Sequence, residues 1–234
     1  LLGMKGTSYK NPEGLTEPGH ITTARDLSIL ATRLMRDFPD FVAYYAIKKY
    51  RYPGTPAAND SNRNLLLFRD PSVDGLKTGH TQAAGYCLVA TAKREFPNVG
   101  SRRLLSIVLG TESENARANE SQKLLNWGYT AFDAVKLFDA GQPAATVPVW
   151  KGTESTVKLG SPYPLVVAVP TGVAAQLKTQ ISRPDPLVAP MAKGQSVGVL
   201  KVLRGDQPLL DVPLQVLQPV NEAGLLGRAW DALR

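Results

Sequence analysis

The sequence predicts an α/β protein of the α+β kind: an antiparallel sheet packed against helices, followed by a small all-β domain. Three observations carry this. Two long segments repeat apolar residues at helical spacing, "ITTARDLSILATRLMRDF" and "ESENARANESQKLLNWGYTAF". Between them, "GYCLVATA" and "RLLSIVLG" have the composition of strands. Near residue 138 the composition changes. Fourteen of the seventeen aromatic residues fall at or before Phe138, and eleven of the eighteen prolines fall between Pro143 and Pro219.

In the first helix, Thr22 or Thr23 serves as N-cap, Ala24, Leu27, Leu30, Leu34 and Phe38 share a face, and Pro39 stops it. "LLLFR", near residue 67, reads as a strand. The two alternating runs read as antiparallel neighbours joined by a hairpin loop in "KREFPNVGSR". The second helix is expected from Glu112 to about Phe132, with Leu124, Leu125, Trp127 and Phe132 on its apolar side. Beyond residue 138, "TVPVW", "STVKLG", "PLVVAVP", "SVGVLKVL" and "PLLDVPLQVL" read as short strands between turn signals. In "NEAGLLGRAWDALR", Asn221 is placed to cap a short helix with Leu225, Leu226, Ala229, Trp230 and Leu233 on one face. Such a helix needs a surface, either its own domain or a membrane interface with Trp230 at headgroup level. The expected organisation is therefore 1–137, 138–218 and an amphipathic helix over 219–234.

The chain has 234 residues, 43% of them hydrophobic, with a formal charge of +7. That length supports a real core. No run of 18 apolar residues occurs, so no helix is expected to span a membrane. The positive charge suits anionic surroundings, but the basic residues are scattered and form no nucleic-acid stripe, so no nucleic-acid partner is expected. Cys87 is the only cysteine, which rules out an intramolecular disulfide; it is expected to act as a small buried hydrophobe. No His, Cys, Asp or Glu cluster has metal-ligand spacing, and neither metal nor cofactor is expected. The opening "LLGMKGTSYKNPEGL" reads as the interior of a domain, so an upstream segment is expected.

The informative stretch is "VDGLKTGHTQAAGYCLVATA". A lysine is not comfortably buried unless something uses its charge. Thr78 adds a hydroxyl, and Gly79 lets a ligand or another backbone come close. Together they suit a carboxylate gripped at a strand edge, where an extended peptide adds as a further strand and a backbone N–H serves as part of an oxyanion hole. His20, in "EPGHITT", reads as a turn residue.

This stretch resembles the third active-site motif of the serine-type D-alanyl-D-alanine carboxypeptidases, the low-molecular-mass penicillin-binding proteins. "NPEGLTEPGHITTARDLSILATRLM", "SNRNLLL", "LGTESENARANESQKLLNWGY" and the β-rich tail resemble further parts of that family, so the resemblance covers nearly the whole chain. It implies the C-terminal part of a transpeptidase-like domain followed by the family's β domain. It also implies nucleophilic catalysis by a serine of a Ser-x-x-Lys motif, assisted by a Ser-x-Asn motif and the Lys-Thr-Gly strand. By the same resemblance Lys77 supplies positive charge, Thr78 binds the terminal carboxylate, Gly79 permits close approach, and the His80 N–H is an oxyanion donor. Arg117 and Arg63 are implied in substrate binding and Asp26 in positioning. Asp26 lies one turn into its helix, where it also suits the helix dipole.

The first two motifs are expected N-terminal to residue 1. "STVK" at Ser155–Lys158 falls among strands and "SEN" at Ser113–Asn115 falls after Lys-Thr-Gly, so both are chance matches. Without its nucleophile the chain alone is not expected to hydrolyse anything. The implied substrate is a peptidoglycan stem peptide ending in D-Ala-D-Ala, and the implied inhibitors are β-lactams. The implied location is the periplasmic side of the bacterial inner membrane, held peripherally by the C-terminal helix. A related endopeptidase or β-lactamase, or a non-catalytic wall-binding module, are the competing readings.

Overall fold

The structure, a computed structural model, describes residues 2–97 and 99–224. It divides after Ala131 into two compact units, each with its own core.

In the first unit, residues 8–21 form a loop closed at its neck, where Ser8 and Ile21 exchange two backbone hydrogen bonds of 2.9 Å. Helix α1 spans Ala24–Asp37, with Thr23 as its cap: the Thr23 hydroxyl accepts from the Asp26 N–H at 3.1 Å. Short helix α2 (Val42–Tyr45) follows. "LLLFR" is helical rather than extended, with α3 spanning Leu66–Arg69. The buried Asn64 side chain accepts from the Leu66 N–H (3.1 Å), which starts the turn. A four-residue apolar run has no period to tell a buried strand from a buried helix. Leu66 and Leu67 are both essentially covered, each contributing about 1.5–3 kcal/mol of burial.

Three antiparallel strands follow, β1 (Val73–Thr81), β2 (Gly85–Phe96) and β3 (Gly100–Thr111), in the order β1-β2-β3. The hairpin between β2 and β3 is tighter than expected, because Lys93–Phe96 pair with Gly100–Arg103. Gly85 closes the β1–β2 turn at φ +65°, and a Cβ there would lie 3.0 Å from the Gly110 backbone, so only glycine fits.

Helix α4 (Glu114–Thr130) starts at Ser113, whose hydroxyl accepts from the Ala116 N–H at 3.1 Å. It packs on β2 and β3, but not through the face the sequence suggested. Leu124 and Trp127 are 45% and 58% exposed, while Arg117, Ala118, Ser121, Leu125 and Tyr129 are buried. Arginine and serine within the buried stripe hide it from a hydrophobicity pattern.

The second unit begins with β4 (Phe132–Phe138), which pairs with β7 (Leu165–Pro170). That pairing moves the boundary to 131/132 from the expected 137/138. The remaining strands form one sheet: β5 (Pro143–Trp150), β6 (Thr156–Gly160), β8 (Leu177–Ser182), β9 (Leu187–Val188), β10 (Ser196–Arg204) and β11 (Gln207–Val216), in the order β8-β10-β11-β6-β5-β9. Alternation sets the core: Leu165, Val167 and Val169 are buried while Val166, Ala168 and Pro170 face out. All five expected strands are present. Ser155–Lys158 falls at the start of β6, so no helix-borne Ser-Lys pair forms there.

Residues 219–224 are not helical, and Val220 and Glu222 make isolated β-bridges, which corrects the expected helix start. Buried Val220 exchanges backbone hydrogen bonds with Met191 (2.8 and 2.9 Å), and Ala223 donates to the Lys151 carbonyl at 2.8 Å. The rest of that expected helix, residues 225–234 with Trp230, lies outside the described residues. Among the described residues no helix is long and apolar enough to cross a membrane.

Candidate active site

Strand β1 changes character along its length. Val73, Gly75 and Leu76 are buried, whereas Lys77, Gly79 and His80 are exposed. β1 lies at one edge of its sheet, so this exposed half presents an unpaired side. Lys77, Thr78, Gly79, His80, Arg63 and Arg117 all line one cleft of about 750 Å³. The sequence thus dispersed six of its seven site candidates over 55 positions, and the fold brings them together.

Lys77 reaches along the strand, its Nζ donating to the Thr78 carbonyl. The His80 ring stacks on Tyr86, its cross-strand neighbour, with centroids 3.9 Å apart. A Cβ added to Gly79 meets nothing nearer than the Cys87 Cβ at 3.9 Å, so no neighbour in the chain demands glycine there. What the missing side chain leaves free is the approach to the strand from the cleft. Arg63 is exposed, and its guanidinium donates to Asn59 Oδ1 at 3.4 Å.

Arg117 is placed differently from the other cations. It is only 2% exposed and rises from the first turn of α4. Its guanidinium donates to the Gly79 carbonyl (3.2 Å), the Arg63 carbonyl (3.1 Å) and Glu114 Oε1 (3.1 Å). The Tyr86 ring lies 5.5 Å from its Cζ. A buried guanidinium needs such partners to offset the loss of water.

Asp26 does not line the cleft. It is 4% exposed, and its Oδ2 accepts from the Gly6 N–H (2.8 Å) and the Thr7 hydroxyl (2.6 Å). It therefore ties residues 6–7 to α1 just before the loop whose tip, Pro12–Leu15, forms a wall of the cleft. That wall was not singled out as a site from the sequence; its signals were the Asn-Pro and Glu-Gly turn pairs, and Gly14 takes a positive φ in the structure. His20 is a turn residue, as expected: its Nδ1 accepts from the Lys10 N–H at 3.1 Å across the loop. Cys87 is half-buried and lines the cleft rather than sinking into the core. Ser113, of the "SEN" match, is committed to capping α4.

Lys77, Arg63 and Arg117 face Glu13 and Glu114 across the lining, a net positive balance that suits an anion. The arrangement offers charge, a hydroxyl and an open strand edge, the elements for holding an extended chain by its carboxylate end. Among the described residues no group of three or more His, Cys, Asp or Glu is placed to hold a metal.

Residues 1–113 match the D-alanyl-D-alanine carboxypeptidase family, and residues 132–222 match the family of the penicillin-binding protein 5 C-terminal domain. The chain is 35% identical to the D-alanyl-D-alanine carboxypeptidase DacA of Haemophilus influenzae, over 99% of this chain and 58% of the relative. It is 37% identical to DacC of Escherichia coli, over 98% of this chain and 56% of the relative. The chain thus spans little more than half the length of these curated relatives. Among solved structures, penicillin-binding protein 5 from Haemophilus influenzae superposes with a TM-score of 0.79 at 34% identity, covering 94% of this chain and 63% of the other.

Proposed function

We propose that the chain belongs to the D-alanyl-D-alanine carboxypeptidase family of penicillin-binding proteins and that its protein removes the terminal D-Ala of peptidoglycan stem peptides, a reading supported by the two family matches and the similar relatives. The observation that carries the proposal is the exposed half of β1, with Lys77, Thr78 and Gly79 opening onto a cationic cleft.

In this reading the stem peptide lies along the edge of β1 as an added strand. The Thr78 hydroxyl donates to the terminal carboxylate, and Lys77 supplies charge beside it. A serine from a helix-borne Ser-x-x-Lys motif, not the strand-borne Ser155–Lys158 match, attacks the carbonyl of the D-Ala-D-Ala bond. The His80 N–H donates to the oxygen as negative charge develops there. The C–N bond breaks, D-Ala leaves as its amine, and water hydrolyses the serine ester. A β-lactam acylates the same serine.

The test is release of free D-Ala from a soluble stem pentapeptide by the full-length protein. Release is expected. Cleavage of a cross-linked dimer or of a β-lactam alone, without D-Ala release, points to an endopeptidase or β-lactamase, and no turnover of any of them to a wall-binding module. For location we propose the periplasmic face of the inner membrane, with residues 225–234 attaching peripherally. The +7 charge supports this through attraction to anionic headgroups. Flotation on anionic liposomes is expected to be lost when 225–234 are deleted; equal flotation by both proteins contradicts the anchor.

A further inference from the structure

Arg117 is already engaged before any substrate arrives: three of its five N–H groups donate to two backbone carbonyls and one carboxylate, and it is 2% exposed. These partners tie three segments together: the start of α4, the exposed half of β1 and the loop at Arg63. To turn these donors toward an incoming carboxylate, the guanidinium would have to give up its hydrogen bonds to the Gly79 and Arg63 carbonyls and release the segments they join.

We propose that Arg117 is a positioning residue for the oxyanion donor, acting through the Gly79–His80 peptide rather than on the substrate carboxylate. A trans peptide is planar and points its C=O and N–H in opposite directions. Holding the Gly79 oxygen therefore fixes the direction of the His80 N–H, away from the guanidinium. The His80–Tyr86 stack and the Tyr86–Arg117 contact brace the same peptide from the neighbouring strand. An oxyanion donor is effective only if it is aimed before the charge develops, and reorganisation during the reaction forfeits the gain. Lys77, Thr78 and exposed Arg63 remain to bind the carboxylate.

This inference rests on the proposed acyl-transfer activity, and the experiment separates the two. Acylation of the full-length protein is measured with a penicillin and with its methyl ester, in which the carboxylate is masked. In Arg117→Lys the acylation rate constant is expected to fall about tenfold relative to wild type for both ligands, with little change in the affinity of the preceding complex. A loss confined to the free acid, with weakened affinity, overturns the assignment in favour of carboxylate capture. No loss with either ligand also overturns it. Should Arg117→Lys fail to fold, Glu114→Gln removes the negative charge from one of the arginine's partners at a half-exposed position, and a smaller but matched loss is expected. An unmatched loss, or none, in that variant overturns the inference equally. Failure of the wild type to be acylated by either ligand overturns the underlying activity, whereas acylation without a matched loss overturns only the role of Arg117.

Discussion

Asp70 shows what a single side chain does to hold the entry of the edge strand. Its Oδ1 accepts from the Ser72 N–H (2.9 Å) and hydroxyl (2.6 Å), and its Oδ2 accepts from Arg94 at 2.9 Å. Burial pushes its carboxyl pKa up, but the Ser72 and Arg94 hydrogen bonds outweigh this and hold it below the ordinary carboxylate value. A group whose folded pKa is depressed contributes stability above its unfolded pKa and loses it as pH falls through the folded value. Asp70→Asn is therefore expected to cost about 1–2 kcal/mol at neutral pH. That difference should shrink as urea melts are repeated below about pH 4. A gap between wild type and variant that stays constant down to pH 2 contradicts the account. Residues of this kind were not legible in the sequence, because Asp70, Ser72 and Arg94 mean nothing until β2 carries Arg94 back beside β1. Lys77, Thr78 and Gly79 were legible, because a contiguous tripeptide before a strand needs no fold to be seen.

Among elements, α4 departs furthest from its expected face. The reading from Leu124 and Trp127 placed the apolar face wrongly, since the buried side runs through Arg117, Ala118, Ser121, Leu125 and Tyr129. Two of these are polar, each for its own reason. Arg117 reaches into the site, whereas Ser121 is fully buried and its hydroxyl has no hydrogen-bond partner among the described residues. Ser121→Ala removes that unmatched hydroxyl and raises helix propensity, so a gain of about 1 kcal/mol in urea unfolding is expected. A loss of stability would mean that the hydroxyl has a partner that the packing does not reveal. The β strands of the second unit were easier to read, because two-residue alternation between turn residues leaves few alternatives. β4 and β8 escaped because Lys136, Lys178 and Gln180 interrupt the apolar signal.

Across the whole chain, composition located the change of architecture to within six residues of the break after Ala131. It fell short because β4, by sequence a continuation of α4, pairs with β7 far downstream. The cleft itself lies wholly within the first unit. The chain supplies the Lys-Thr-Gly strand and its cationic surroundings, while the Ser-x-x-Lys and Ser-x-Asn parts implied by the family resemblance are not its Ser155–Lys158 and Ser113–Asn115 matches. The central claim is that Lys77 and its strand form one wall of a penicillin-reactive site. Covalent labelling of the full-length protein with a fluorescent penicillin, beside Lys77→Ala, tests it most directly. The account predicts a labelled wild type and a variant whose labelling rate falls about a hundredfold or more while its melting temperature is retained. An unlabelled wild type, or a folded variant that labels at the wild-type rate, would contradict it.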